Sequence, residues 1–230
     1  MKRIFWHLGT KEPDYLSLIE SDSPFSLEDR TIDPRYCVMA EQVHADKLHF
    51  CTPLDSGSGF FGNPLIAGAD ALISDIKGQF LIVRSADCLP ILLFDPDKYV
   101  VAAVHSGRAG TRANIVGKCI QAMVEHYTCN PQDIIAHVGA GICEEHYQVS
   151  PELYQDFNSA LEAQGFCPCT NKVGHLNLRT TVFQQLIQSK LRFYNIENYH
   201  YCTFETPDYF SYRRDQSANR QINVIGIIDE

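Results

Sequence analysis

The chain has 230 residues, enough to bury a substantial core, and its 45% hydrophobic and 20% charged content is ordinary for a globular protein. Nineteen basic against 28 acidic side chains leave a formal net charge of −9, which disfavours a nucleic-acid partner but allows a local basic pocket for a small anion. No run of 18 apolar residues is available to span a membrane, and residues 1–7 lack the apolar stretch of a signal peptide, so a cytoplasmic protein is expected.

Residues 1–10 read as a strand ending at Gly9. Residues 11–34, with Pro13, Pro24 and Pro34 and few periodic apolar positions, read as a surface excursion with one helical turn. Residues 36–44 read as a strand and 47–51 as its neighbour. Residues 52–68 hold four glycines and two prolines and read as an irregular loop. Residues 70–74 and 80–84 read as two strands around Lys77-Gly78, a hairpin signal. A second hairpin follows: the apolar runs 89–94 and 99–104 flank the polar segment Asp95-Pro96-Asp97-Lys98. Antiparallel pairing would set Cys88, at the entrance of the first run, beside His105, at the exit of the second.

Gly107 and Gly110 end that strand, and a helix is predicted from near Thr111, with Ile115, Val116, Cys119, Ile120, Met123, Val124 and Tyr127 on one face. Residues 134–138 read as a strand. Residues 151–164 read as a helix capped by Ser150 with Pro151 at its first position. Residues 175–178 read as a short strand, 179–191 as a helix, and 199–203 and 222–228 as closing strands. No repeat or linker is visible. The pattern predicts one α/β domain over residues 1–230, with a mixed sheet flanked by helices.

Nine cysteines, at positions 37, 51, 88, 119, 129, 143, 167, 169 and 202, include no Cys-x-x-Cys pair, and their odd number argues against a disulfide framework. Cys167-Pro168-Cys169 has poor spacing for a zinc knuckle. His49, His126, His137, His146 and His200 read as ordinary histidines. His44, Cys88 and His105 all stand at predicted strand ends. One thiolate and two imidazoles suit zinc with an open fourth position, although packed strand-end residues would read the same way. Arg84, Arg108, Arg213 and Arg214 could hold a phosphate through forked hydrogen bonds, or serve as structural arginines; Arg213-Arg214-Asp215 could equally be an internal ion pair. Asp87 could orient a histidine or cap local backbone.

Six blocks, in order, resemble the laccase-domain or YfiH family, labelled multicopper polyphenol oxidase: Gln42-Val43-His44; Gly68-Ala69-Asp70-Ala71-Leu72-Ile73; Ser85-Ala86-Asp87-Cys88-Leu89-Pro90-Ile91-Leu92; Val101-Ala102-Ala103-Val104-His105; Gly139-Ala140-Gly141-Ile142 with His146-Tyr147-Gln148-Val149; and Cys202-Thr203 with Phe210-Ser211-Tyr212-Arg213-Arg214-Asp215. The resemblance implies a fold similar to the catalytic domain of cytotoxic necrotizing factors and metal ligands at His44, Cys88 and His105. It also implies purine nucleoside phosphorylase chemistry, with adenosine deaminase and methylthioadenosine phosphorylase side activities. Zinc is the expected metal; a single copper also suits two histidines and a cysteine.

The chain departs from the family pattern near its start, where Arg-x-Gly-Gly is not evident in His7-Leu8-Gly9-Thr10, and at four further residues. Arg108 and Ala109 replace a Trp-Arg pair, Gln148 replaces Glu, and Asn177 stands where Asp is frequent. Three readings compete: a zinc-dependent purine nucleoside enzyme, a Cys88–His105 amide hydrolase such as a peptidoglycan-precursor editing enzyme, and a non-catalytic divergent homologue. Multicopper oxidation is rejected because the nine histidines include no His-x-His pair. The expected partners are a nucleoside and phosphate, with neither nucleic acid nor membrane; a homodimer is an assembly to test for.

Overall fold

The computed structural model describes residues 2–168 and 172–229, so Cys169 lies outside the described residues. In chain order the elements are β1 (Lys2–Leu8), α1 (Tyr15–Ser21), β2 (Phe25–Leu27), β3 (Arg30–Ile32), β4 (Cys37–Met39), β5 (Leu48–Phe50), β6 (Ala71–Ser74), β7 (Phe80–Ser85), β8 (Leu89–Asp95), β9 (Val100–Ser106), α2 (Arg108–Arg112), α3 (Ile115–Tyr127), β10 (Ile135–Val138), α4 (Pro151–Ala163), α5 (Leu178–Gln188), β11 (Ile196–Asn198), α6 (Tyr212–Asp215) and β12 (Gln221–Asp229).

The β8–β9 hairpin forms as its sequence predicts. Leu89 pairs with Ser106 and Asp95 with Val100, and the Asp95 carboxylate accepts from the backbone N–H of Asp97 and Lys98, closing the turn. Every residue of both strands is buried, because both faces are covered. Leu89, Ile91, Leu93, Val100, Ala102 and Val104 pack on one side, against α3 and α5. Leu92, Phe94, Val101 and Ala103 pack on the other, against Leu81, Val83 and Ile225 of a second sheet. This two-sided burial explains why the runs read as continuous apolar segments rather than as alternation.

The hairpin lies within a mixed sheet of order β11-β10-β8-β9-β6-β5, and the facing sheet has the order β1-β12-β7-β4. The far side of the smaller sheet is covered by α1 and the β2–β3 hairpin through Leu18, Phe25, Leu27 and Ile32. An α/β architecture with mixed sheets and flanking helices is therefore observed. No helix among the described residues is long and apolar enough to cross a membrane.

Several local expectations are corrected. Residues 71–74 and 80–85 form strands but do not pair: β6 joins β9, and β7 joins β12 and β4. Segment 75–79 instead carries the chain from one sheet to the other, tied by Gln79, whose side chain reaches Ser74 Oγ, Thr52 O and Ser56 Oγ. β4 and β5 likewise belong to different sheets. The excursion 11–34 holds a full helix and a hairpin, because Asp14 caps α1 by accepting from Ser17 N–H. The single helix expected from Thr111 is two, separated where Asn114 takes a left-handed backbone and caps α3. Residues 175–178 form no strand: Asn177 caps α5. The parallel strand of this region is β11, ahead of the expected 199–203.

Ile91 and Leu92, adjacent but on opposite faces of β8, test the two-layer core. Ile91→Ala and Leu92→Ala should each destabilise the fold by about 2–5 kcal/mol in urea denaturation. A loss below about 1 kcal/mol at either position would mean that its face is not a packed core.

Candidate active site

The register of the hairpin builds the first part of the site. Leu89 lies opposite Ser106, so one residue further out Cys88 lies opposite Gly107. Alternation puts His105 on the same face as Val101 and Ala103, toward the facing sheet. A Cβ on Gly107 would stand 2.9 Å from Cys88 Sγ and 3.0 Å from His44 Cδ2, so only glycine leaves room for these side chains.

Asp70, the residue before β6, follows from the β6–β9 pairing. Ala71 pairs with Val104, which sets Asp70 beside His105. His105 N–H donates to Asp70 O at 2.8 Å, and the His105 ring meets Asp70 Oδ1 through Nδ1, also at 2.8 Å. Both side chains are almost wholly buried. The same carboxylate accepts from His44 N–H at 3.0 Å and Ala45 N–H at 2.8 Å. Sequence reasoning missed Asp70 because residues 70–74 were paired with 80–84 rather than with β9.

His44 sits in the loop after β4 with a left-handed backbone, φ 61°, as does Gln42, φ 60°. Gln42 locks that loop to the end of β7: its Nε2 donates to Arg84 O at 2.7 Å and its Oε1 accepts from Arg84 N–H at 2.9 Å. Asp87, in the crossing between β7 and β8, also has a positive φ of 85°. Three non-glycine residues held in this region around one thiol mark a backbone over-determined by its contacts.

His44, Cys88 and His105 each offer a donor atom within 4.8 Å of the others. The two imidazoles meet edge to face, with ring centroids 4.8 Å apart. Asp70 occupies Nδ1 of His105 and leaves Nε2 available to a metal, the arrangement typical of a ligating histidine oriented by a carboxylate. One sulfur and two nitrogens, a fixed tautomer and a glycine cradle fit zinc with an open position. Burial by itself would raise the Cys88 thiol, but His105 and His44 outweigh it and bring it down to about 6. Burial likewise opposes charge on His105, yet Cys88 and Asp70 raise it to about 9. Burial would raise Asp70 too; His105 and the loop N–H groups hold it below the usual carboxylate range.

The three donors line a cavity of about 720 Å³. Arg84, Arg108, Arg213 and Arg220 also line it, with Tyr15, Tyr147 and Tyr212. Tyr147 and Tyr212 lie within the blocks that resemble the family but carry no assigned role in sequence, and Arg220 and Tyr15 have no signal there. Arg84 is partly buried against Tyr15, with its guanidinium 4.7 Å from the ring centroid, and donates to Ala40 O and Glu41 O. Arg213 lies over the Tyr147 ring at 5.4 Å and donates to His146 O and Gln148 O.

At two residues one of the two readings given from sequence is the one observed. Arg214 is absent from the cavity wall. It pairs with Asp215 and donates to Thr203 O, Phe204 O and Tyr209 O, fixing a loop. Asp87 orients no histidine. Its carboxylate accepts from Thr203 Oγ1 and Arg213 N–H, both at 2.7 Å. Among the departures, Arg108 and Ala109 face the cavity, whereas Gln148 lies outside its lining. Asn177 accepts from Thr180 N–H and donates to Glu144 Oε2, a donor role that Asp lacks.

Residues 7–228 match the family described as multi-copper polyphenol oxidoreductase laccase. A purine nucleoside phosphorylase of Corynebacterium glutamicum is 32% identical over 199 residues, covering 86% of this chain and 77% of that protein. One from Streptomyces coelicolor is 30% identical over 215 residues, covering 93% and 84%. The crystal structure of the Bacillus licheniformis hypothetical protein YfiH superposes with a TM-score of 0.77 at 29% identity, covering 85% of this chain and 75% of that one. On these grounds, and with its paired sheets and strand-end Cys–His site, the chain belongs to the laccase-like YfiH family.

Proposed function

We propose that this protein is a zinc-dependent purine nucleoside phosphorylase acting in the cavity beside His44, Cys88 and His105. The observation that carries the reading is the convergence, in one cavity, of a sulfur–nitrogen–nitrogen donor set with four arginines and three tyrosines. The relatives named purine nucleoside phosphorylase support the same class. In a protein of net charge −9, a cluster of arginines is a local reversal of sign that suits an anion.

His44, Cys88 and His105 would hold the metal, which when bound supplies positive charge and an open coordination position. Arg108, Arg213 and Arg220 would hold phosphate. The tyrosine rings offer flat faces for the purine. Burial pushes the Tyr147 phenol up to about 12, so it stays a neutral donor at any working pH. A phosphate oxygen forms the bond to the anomeric carbon as the carbon–nitrogen bond to the purine breaks. The purine leaves with that electron pair and takes a proton on a ring nitrogen. Adenosine deamination, in which water replaces the 6-amino group as ammonia, is the finer activity to assay beside it.

A second reading is favoured by one specific feature. Cys88, His105 and Asp70 stand in the order of nucleophile, base and orienter, with the thiol already lowered. Cys88→Ser separates the readings. It strips the metal held by His44, Cys88 and His105 under the first; under the second it abolishes amide hydrolysis without changing metal content.

Inosine and adenosine should release free base only when phosphate is present, and chelation should remove that activity. Base release that ignores phosphate and chelator would sink the proposal. Gly107→Ala should fold normally, since its φ of −77° suits any residue, yet lose zinc because its Cβ meets Cys88 Sγ. Normal metal content and turnover in that variant would contradict the cradle. Asp70→Asn should lower zinc affinity or turnover by about 10–100-fold. In chelator-treated protein, the Cys88 peptide should be alkylated half-maximally near pH 6, the thiolate appearing as pH rises through about 6. Asp70→Asn should move that midpoint upward by weakening the His105 imidazolium. A wild-type midpoint near the ordinary thiol value of about 8.5 would refute the pairing.

A further inference from the structure

A second group of metal-binding side chains lies apart from the three donors above. Cys143 and His146 stand on the loop after β10, and Cys202 and Glu205 on the loop after β11. The spacing is Cys-x-x-His on one loop and Cys-x-x-Glu on the other, so each short turn presents two donors to the same point. In sequence His146 reads as ordinary for want of a partner at useful spacing; its partners are a cysteine three residues earlier and a loop 56 residues later.

We propose that Cys143, His146, Cys202 and Glu205 form a closed, four-coordinate structural zinc site that clamps these two loops together. The four donor atoms all lie within 4.8 Å of one another. A tetrahedral zinc with ordinary bond lengths needs sulfur–nitrogen and sulfur–oxygen edges of about 3.6 Å and a nitrogen–oxygen edge of about 3.4 Å. The corresponding separations are 3.2 Å from Cys143 Sγ to His146 Nδ1, 3.8 Å from Cys202 Sγ to His146 Nδ1, 3.9 Å from Cys143 Sγ to Glu205 Oε1 and 3.4 Å from His146 Nδ1 to Glu205 Oε1.

Hydrogen bonding alone accounts poorly for this cluster. His146 Nδ1 faces two sulfurs and a carboxylate oxygen, yet it carries at most one proton. A central cation satisfies all of them together. The ring is already aimed: it stacks on Phe204 with centroids 4.3 Å apart and planes 17° apart. The loops also touch through backbone, Gly141 N–H donating to Tyr201 O and Thr203 N–H to Gly141 O.

Four protein donors leave no open position, so this zinc would be structural, in contrast to the three-donor centre. Its consequence is the shape of the cavity wall. Tyr147 follows His146 directly, Arg213 donates to His146 O, and Thr203, next to Cys202, holds Asp87. The clamp therefore fixes the part of the cavity wall that carries Tyr147 and Arg213.

The test is zinc content of reduced, purified full-length protein. Cys88→Ser, which removes the three-donor centre, should keep one tightly held zinc per chain, and adding Cys202→Ala should remove it. Glu205 is exposed, so Glu205→Ala should fold normally; as a direct ligand it should weaken this zinc by at least about tenfold, the lower end of what outer-shell partners cost. Wild type with Cys143 and Cys202 blocked from alkylation by added zinc, and freed by chelator, would support the site independently of how the double variant folds. Absence of zinc from correctly folded Cys88→Ser, or alkylation of Cys143 and Cys202 at the same rate with and without zinc, would overturn it.

Discussion

One buried carboxylate organises the candidate-site end of this fold. Asp70 accepts from the ring of His105 and from the backbone N–H groups of His44 and Ala45, so a single side chain fixes a strand end and a loop at once. Ionised acceptors make the stronger class of hydrogen bond, and burial prevents water from competing for them. Removing Asp70 would leave the His44 loop without its main anchor and His105 without its tautomer. Gln42 does the equivalent work on the opposite side, pairing with the Arg84 backbone as an additional strand would. Between these two anchors the backbone of His44 is held at φ 61°, a conformation that few non-glycine residues adopt unassisted.

The hairpin that carries Cys88 and His105 was legible because its physics is local. Its two apolar runs, its Asp-Pro-Asp turn and the glycines after Ser106 all lie within about twenty residues, and the observed register puts thiol and imidazole at one end as the pattern implied. Helices α3 and α4 were legible for the same reason, through a periodic face and a Ser-Pro start. What failed was long-range pairing. Adjacent strands such as β6 and β7 look like a hairpin in sequence, yet each finds its partners elsewhere, and only that rearrangement sets Asp70 against His105. Tyr15 and Arg220 of the cavity were invisible because they arrive from separate elements with no shared spacing, and Tyr147 and Tyr212, though inside family-like blocks, gave no hint of facing it.

The departures from the family pattern divide by position. Arg108 and Ala109 face the cavity, so they bear on what is bound there. Asn177 is a structural adjustment, giving Glu144 a donor while still capping α5. Arg214, despite its conspicuous Arg-Arg-Asp setting, holds loop carbonyls and leaves the cavity wall to Arg213. Two arginines side by side in sequence thus perform different tasks, because a one-residue step at the start of α6 turns their side chains in different directions.

Anomalous diffraction at the zinc absorption edge, on crystals of the full chain grown with zinc, addresses the central claim most directly. A peak within about 2.0–2.3 Å of His44, Cys88 and His105 donor atoms is predicted, with its remaining coordination position open to the cavity. Protein that releases purine base from nucleosides while showing no anomalous peak at those three residues would contradict it.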